Sequence, residues 1–175
     1  SSGSASLRIE TDKPIPLSEA YVVLIEGLAN TPAWMPLTPG RIFEQLGSDK
    51  PLGVILDRTQ RATTYRLFAP RARNVHLCIF DTPEHEVHQP EYRKLDPVER
   101  YPMWMDEQDG VWEISLLGLD IGKYYSFNVD GPTGNGEGFN SLAQIGDPYA
   151  RAAAHARNNC IVIDPEETNR WFEGW

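Results

Sequence analysis

Short runs in which apolar and polar residues alternate recur through the middle of the chain, and they constrain its fold more than any other feature. Residues 63–69 read TTYRLFA, residues 75–80 read VHLCIF, residues 111–116 read VWEISL and residues 123–129 read KYYSFNV. A period of two is typical of strands, and Gly, Pro, Asn or Asp bounds each run. The pattern predicts an all-β, immunoglobulin-like antiparallel β-sandwich and disfavours alternating βαβ units.

The alternation also predicts the core, because the apolar members of each run share one face of a strand. The residues that we expect to be mostly buried are Tyr65, Leu67, Leu77, Ile79, Trp112, Ile114, Tyr125 and Phe127.

Turn residues predict the connections between these strands. Residues 120–122 (DIG) separate two strand-like runs, which predicts a hairpin of 111–116 with 123–129. Residues 81–109 contain four prolines and many charges, so we expect a surface loop with one short strand around Trp104. Asp147 followed by Pro148 is a helix-start signal and predicts one or two helical turns over 148–154.

The same signals divide the chain into four parts. Residues 1–18 are interpreted as a flexible start or a cloning remnant, and residues 19–50 as a strand stub, strand-like at 21–26, followed by a linker. The sandwich is predicted over 51–164, and residues 165–175 are interpreted as a linker.

Charge and hydropathy exclude several classes of partner. The chain has 16 Lys and Arg residues and 25 Asp and Glu residues, which gives a net charge of −9, and its sequence contains no basic cluster. A nucleic-acid or anionic-membrane surface needs such a cluster, so we expect neither partner. No apolar run approaches the roughly 20 residues that a membrane span requires. The composition favours a cytoplasmic location, and the secreted alternative stays open.

The chain contains His, Cys and Asp residues of the kinds that form metal or catalytic sites, but their spacing does not match such sites. His85 and His88 lack the four-residue spacing of a helical zinc motif, and the two cysteines, Cys78 and Cys160, sit in strand-like runs typical of buried free thiols. Asp106 and Asp109 lie in a turn that we expect to be solvated. We therefore predict no metal, no cofactor and no catalytic residue in this chain.

Several segments in a fixed order resemble the region before the catalytic barrel in the starch- and glycogen-debranching enzymes of glycoside hydrolase family 13, the pullulanases and isoamylases. They are residues 51–53 (PLG), 63–70 (TTYRLFAP), 109–112 (DGVW), 122–132 (GKYYSFNVDGP), 138–140 (GFN) and 147–151 (DPYAR). Each segment is weak alone, but their common order is specific, and the resemblance covers about 51–164.

The resemblance implies an early-set sandwich of carbohydrate-binding module family 48, placed ahead of a (β/α)₈ catalytic barrel. A barrel needs about 200 residues, and none is present in this chain. The implied function is that of a non-catalytic module whose partner is the barrel of the same polypeptide. Aromatic residues beyond the last strand, Trp171, Phe172 and Trp175, are then predicted to contact that domain.

Two functions stay open under this resemblance. Glycogen-binding relatives of the module use a Lys before the VDG turn and a Trp after it, where this chain has Ser126 and Thr133. Neither residue supplies a cation or a stacking face, which favours a supporting role against the barrel. The alternative is an α-glucan-binding module that uses other exposed aromatic residues, with Trp104, Tyr101 and Tyr92 as the candidates.

Overall fold

The computed structural model describes residues 10–26, 33–37, 40, 46–82, 97–134, 136–153 and 159–170. Its elements in chain order are the strands β1 (Tyr21–Ile25), β2 (Ala33–Leu37), β3 (Gly53–Asp57), β4 (Ala62–Phe68), β5 (Asn74–Phe80), β6 (Glu99–Pro102), β7 (Trp104–Asp106), β8 (Val111–Leu117), β9 (Tyr124–Asp130), β10 (Gln144–Ile145) and β11 (Cys160–Ile161), and the helix α1 (Pro165–Arg170).

Two antiparallel sheets form the sandwich. The first sheet has the order β3-β4-β8-β7, and the second has the order β10-β9-β5-β6 with β11 also paired to β9. Strands β1 and β2 form a separate two-stranded ribbon. The predicted antiparallel sandwich is confirmed, and so is the strand near residues 21–26. Its partner β2 was not predicted.

The core lies between the inward faces of the two sheets, and all eight residues predicted to form it are buried. Tyr65 on β4 meets Tyr125 on β9 edge to face, with ring centroids 5.3 Å apart. The indole of Trp112 donates a 2.9 Å hydrogen bond to the carbonyl of Ala69, which satisfies its one polar group inside the core. Cys78 and Cys160 are buried and form no disulfide bond with each other, as predicted.

The predicted hairpin of residues 111–116 with 123–129 is wrong, because β8 and β9 belong to different sheets. Strand β8 pairs with β4 and β7, whereas β9 pairs with β5, β10 and β11. The connection is anchored to both sheets: Asp120 N–H donates to Thr63 Oγ1, and Gly122 N–H donates to the carbonyl of Val162. The Asp–Ile–Gly turn therefore carries the chain from one sheet to the other.

Residues 97–109 also cross between the sheets. Strand β6 pairs with β5 in the second sheet, and β7 pairs with β8 in the first. Met103 between them is buried, and its N–H donates to the carbonyl of Val75. The predicted short strand around Trp104 is confirmed, but the single surface loop over 81–109 is wrong for this part.

The helix predicted over 148–154 is wrong as well. Residues 148–149 form a turn in which Asp147 Oδ1 accepts the N–H of Tyr149. The same Asp–Pro signal recurs at Asp164 and Pro165, where helix α1 does begin. Asp164 Oδ1 accepts the N–H of Glu166, so Asp164 caps this helix. Residues 165–170, predicted to be linker, are helical.

Among the residues that the structure describes, no helix is long and apolar enough to cross a bilayer. Within the same residues, no group of three or more His, Cys, Asp or Glu side chains is arranged to hold a metal ion. His85, His88 and His155 lie outside the described residues.

Candidate functional site

Trp104, the first predicted sugar platform, lies on the outer face of the first sheet. Strand β7 is the edge strand there, and the indole is 66% exposed. Its neighbour Met105 faces the opposite way and packs against the core, which holds the strand in place. The structure thus presents this ring to solvent on a fixed backbone.

Tyr101, the second candidate, lies in a different environment. It pairs with Leu77 on the second sheet and packs, half-buried, against the core. Its hydroxyl donates a hydrogen bond to the carboxylate of Glu99, and this bond raises the pKa of the phenol. The structure does not bring Tyr101 and Trp104 onto one surface. Tyr92 and the predicted contact residues Trp171, Phe172 and Trp175 lie outside the described residues.

Paired polar side chains lie next to Trp104 on the outer face of the first sheet. Strand register places Glu113 opposite Trp104 and Arg66 opposite Glu113, so the three residues form a row across β7, β8 and β4. Arg66 Nε and the carboxylate of Glu113 form an ion pair. In the neighbouring row, Thr64 Oγ1 and Ser115 Oγ are hydrogen-bonded at 2.7 Å. We call the surface formed by Trp104, Glu113, Arg66, Thr64 and Ser115 the tryptophan face.

The row ends at a glycine on β3. Gly53 lies opposite Arg66 and has a φ of 84°, in the left-handed region. A Cβ there would lie 3.0 Å from the carbonyl oxygen of Tyr149, so glycine permits the residues after Asp147 to pack directly on β3.

A shallow hollow beside β7 contains a charge cluster that the sequence reasoning missed. Lys50 Nζ lies 2.7 Å from Asp106 Oδ2 and 3.0 Å from Asp109 Oδ2, and Ser48 Oγ donates to the same Asp109 oxygen at 2.7 Å. Asp109 is buried, which corrects the expectation of a fully solvated turn. Because 56 residues separate Lys50 from Asp106, no local pattern indicated the pair.

Electrostatics in this hollow stabilise the charged carboxylates. The hydrogen bond from Lys50 holds the pKa of Asp106 below its ordinary value. Burial pushes the pKa of Asp109 upward, but hydrogen bonds from Ser48, the N–H of Val111 and Lys50 outweigh it and leave that pKa lowered. The lysine thus occupies the position that a cation would take, and we interpret the cluster as structural.

The resemblance aligns Ser126 and Thr133 with the sugar contacts of glycogen-binding relatives, and neither residue belongs to the tryptophan face. Ser126 is on the outer face of the second sheet and is fully buried, and its hydroxyl has no hydrogen-bond partner among the residues that the structure describes. Its strand neighbours on that face, Cys78 and Asn128, are buried too, and Thr133 is exposed. A ligand at the surface therefore has no access to Ser126 in this structure.

Comparison with known families identifies the sandwich. A family profile described as "Carbohydrate-binding module 48 (Isoamylase N-terminal domain)" matches residues 51–150 of this chain. This range begins just before β3 and ends after the Asp147 turn, and it contains both sheets except β11.

Curated relatives are much longer than this chain. The glycogen operon protein GlgX homolog of Haemophilus influenzae is 27% identical over 72% of this chain and 16% of its own length. The 1,4-alpha-glucan branching enzyme GlgB 1 of Xanthomonas axonopodis pv. citri is 26% identical over 66% of this chain and 14% of its own length.

Solved pullulanases share the fold. A pullulanase of Klebsiella pneumoniae complexed with maltotriose superposes with a TM-score of 0.65 at 17% identity, covering 85% of this chain and 13% of that one. A pullulanase of Paenibacillus barengoltzii in complex with maltohexaose and alpha-cyclodextrin superposes with a TM-score of 0.59 at 22% identity. The match covers 81% of this chain and 19% of that pullulanase chain. With more than half of its residues inside the family match and the expected sandwich around them, the chain belongs to carbohydrate-binding module family 48.

Proposed function

We propose that this chain is the non-catalytic N-terminal module of a starch- or glycogen-debranching α-glucan hydrolase of the pullulanase or isoamylase type. Its main role in this proposal is to pack on and support a (β/α)₈ catalytic barrel of the same polypeptide. Family membership supports the module, and the relatives, of which this chain covers about one sixth, support a longer parent.

The observation that carries the supporting role is the exposed apolar side of the β1–β2 ribbon. Register places Val22 opposite Pro36 and Leu24 opposite Trp34, so these four side chains share one side of the ribbon. All four are exposed, Trp34 at 65% and Val22 at 53%. Two-stranded ribbons are marginal alone in water, and contiguous apolar patches mark contact surfaces. A large neighbouring domain would cover this side.

Contacts at the base of the ribbon position it on the sandwich. Arg71 Nε donates a 3.2 Å hydrogen bond to the carbonyl of Leu17, and both guanidinium ends of Arg71 bind the carboxylate of Glu137, at 2.8 and 2.6 Å. Pro36 on β2 lies close to Gly136: a Cβ atom added to this glycine would be in ordinary van der Waals contact with the proline ring. The ribbon therefore offers a docking surface whose orientation the sandwich sets.

Two measurements test this role. The coding sequence of the parent gene must continue through at least the roughly 200 residues of a barrel, and a stop codon directly after this segment contradicts the proposal. In the longer enzyme, Trp34→Ser should lower the melting temperature and expose the ribbon to protease, because it removes the largest apolar contact. Leu117→Ser is the matched control, since Leu117 is 93% exposed on the sandwich itself.

The isolated chain should not hydrolyse α-glucan. Glycoside hydrolysis needs two carboxyl groups across a cleft, and the charged pair in the described hollow is neutralised by Lys50. Incubation of the pure chain with pullulan or glycogen should release no reducing sugar. Measurable release that purifies together with the chain contradicts a non-catalytic module.

A second candidate function, α-glucan binding that targets the enzyme to starch or glycogen, is favoured by the exposure of Trp104. Electrophoresis of the chain in gels with and without glycogen tests it directly. Retardation by the polysaccharide supports binding, and equal mobility in both gels contradicts it.

A further inference from the structure

We propose that the tryptophan face is an α-glucan subsite in which the indole of Trp104 stacks on one sugar ring and the Arg66–Glu113 pair binds hydroxyl groups of the next. This inference rests on the second candidate function. It places the ligand on the sheet opposite to the one that carries Ser126.

The indole has the position that stacking requires. It is 66% exposed at the edge strand of the first sheet, and the partly buried Met105 next to it packs against the core and keeps the backbone in register. An aromatic side chain has few rotatable bonds and therefore loses little conformational entropy when a ligand covers it, and its flat apolar surface suits the C–H face of a pyranose.

The ion pair supplies the polar half of the subsite. Glu113 is directly opposite Trp104, and Arg66 is one strand further along the same row. The carboxylate accepts hydrogen bonds and the guanidinium donates them, so neighbouring sugar hydroxyls could donate to the first and accept from the second. Side-chain exposures of 38% for Glu113 and 20% for Arg66 leave both within reach of a ligand. Because their charges cancel, the pair suits a neutral ligand.

The dimensions fit a short oligosaccharide. Adjacent strands lie about 4.8 Å apart, so Trp104 on β7 and Arg66 on β4 are separated by about 10 Å across the sheet. The hydroxyl pair of Thr64 and Ser115 follows one row further, about 7 Å along the strands. The face therefore offers an aromatic platform and two polar contact points to two or three linked sugar rings.

The polarity of the face favours a glucan over a protein partner. Apart from Trp104, the residues of the tryptophan face are charged or hydroxylated and already hydrogen-bonded to each other. Protein contact surfaces are instead depleted in charge at their centre, as the β1–β2 ribbon is. An aromatic platform beside hydrogen-bonding groups is the chemistry by which a neutral, hydroxyl-rich polymer is recognised, and the chain belongs to a carbohydrate-binding family.

Maltohexaose binding by the full chain tests the subsite. Wild-type protein is titrated calorimetrically, alongside Trp104→Ala, the ring-retaining Trp104→Tyr, Glu113→Gln and the control Trp34→Ala, which removes an equally exposed indole from the ribbon. We expect Trp104→Ala to raise Kd at least about tenfold, Glu113→Gln several-fold, Trp104→Tyr less than Trp104→Ala, and Trp34→Ala not at all. Circular dichroism verifies that each variant folds.

Three outcomes decide between the proposals. Loss of affinity confined to Trp104 and Glu113 variants supports the subsite. Equal affinity of wild type and all variants overturns the subsite but leaves glucan binding standing. No heat of binding and no retardation of the wild type by glycogen overturns both the subsite and the second candidate function, while the supporting role of the ribbon is unaffected.

Discussion

The hydroxyl of Tyr125 donates a 2.8 Å hydrogen bond to Asp147 Oδ2 in the interior of the domain. The other oxygen of this carboxylate accepts the N–H of Tyr149, also at 2.8 Å, and the N–H of Asp147 itself lies 3.2 Å from the sulfur of Cys160. One buried carboxylate thus joins strand β9, the turn after Pro148 and strand β11. Burial raises its pKa above the ordinary value for aspartate.

We expect Tyr125→Phe to lower the free energy of unfolding by about 1–3 kcal/mol, because it leaves a buried carboxylate oxygen without its donor. Urea denaturation followed by fluorescence measures the change. Tyr149→Phe is the control, since this ring is 45% exposed. Equal stability of wild type and Tyr125→Phe would show that the bond contributes nothing net.

Because the pKa of Asp147 is raised, its contribution to stability should change with pH in the opposite direction from that of most carboxylates. Between the ordinary value of about 3.9 and the raised folded value, the folded chain binds a proton that the unfolded chain has lost. The contribution of Asp147 to stability therefore falls as pH rises through this window. In Asp147→Asn this decline is absent, so the stability of wild type relative to the variant should be highest in acid and decrease toward neutrality. A relative stability that rises with pH contradicts the buried, proton-binding carboxyl.

For the cluster of Lys50, Asp106 and Asp109 we expect the usual pH dependence of carboxylates, in which stability is lost as the pH falls. The pKa values of Asp106 and Asp109 are lowered in the folded state, so their stabilising contribution is present at neutral pH and is lost as pH falls through the folded values. Lys50→Gln should destabilise the domain at pH 7, and the difference from wild type should shrink in strong acid and in high salt. Lys13→Gln, an exposed lysine far along the chain, should change nothing. A loss independent of both pH and salt would show a packing role instead.

Two glycines with left-handed backbones allow strain and collision to be separated. Gly110 has a φ of 71°, and a Cβ there would lie 2.6 Å from Cβ of Pro70. Gly118 has a φ of 107°, and apart from its chain neighbours no atom of the described residues lies within 4 Å of its Cβ position. We expect Gly118→Ala to cost about 1–3 kcal/mol from backbone strain alone. Gly110→Ala should cost clearly more, measured by thermal denaturation, because the fixed ring of Pro70 must also move. Equal losses would mean that the Gly110 turn relaxes freely.

Much of the core was predictable because a period of two directly determines which residues share a strand face. Tyr65 and Phe127 follow that rule and are fully buried. The exposure of Trp104 was predictable for a related reason, since charged and proline-rich sequence surrounds it. The family could be predicted from the order of short motifs, because several weak matches in one order are specific together.

The pairing of strands depended on long-range contacts that alternation does not encode. The sequence around Asp120 is compatible with a hairpin, but hydrogen bonds to Thr63 and Tyr65 hold the turn against β4, an inner strand of the first sheet, and β9 enters the second sheet. The Asp–Pro signal is identical at Asp147 and Asp164. Each aspartate is buried and accepts the N–H two residues further on through Oδ1, while its Oδ2 binds Tyr125 at the first site and Arg58 at the second. The backbone that follows differs: residues 148–149 form a turn, whereas Pro165–Arg170 form a helix.

By itself, then, the sequence determined the class of fold, the inward faces of the main strands and the family, because local periodicity and motif order are properties of the chain. Only the tertiary structure decided which strands are neighbours, that Tyr101 and Trp104 lie on different sheets, that Lys50 lies between Asp106 and Asp109, and that Ser126 is closed to ligand. Each of these depends on residues far apart in the chain, whose proximity is determined by the packing of the two sheets and not by any local propensity.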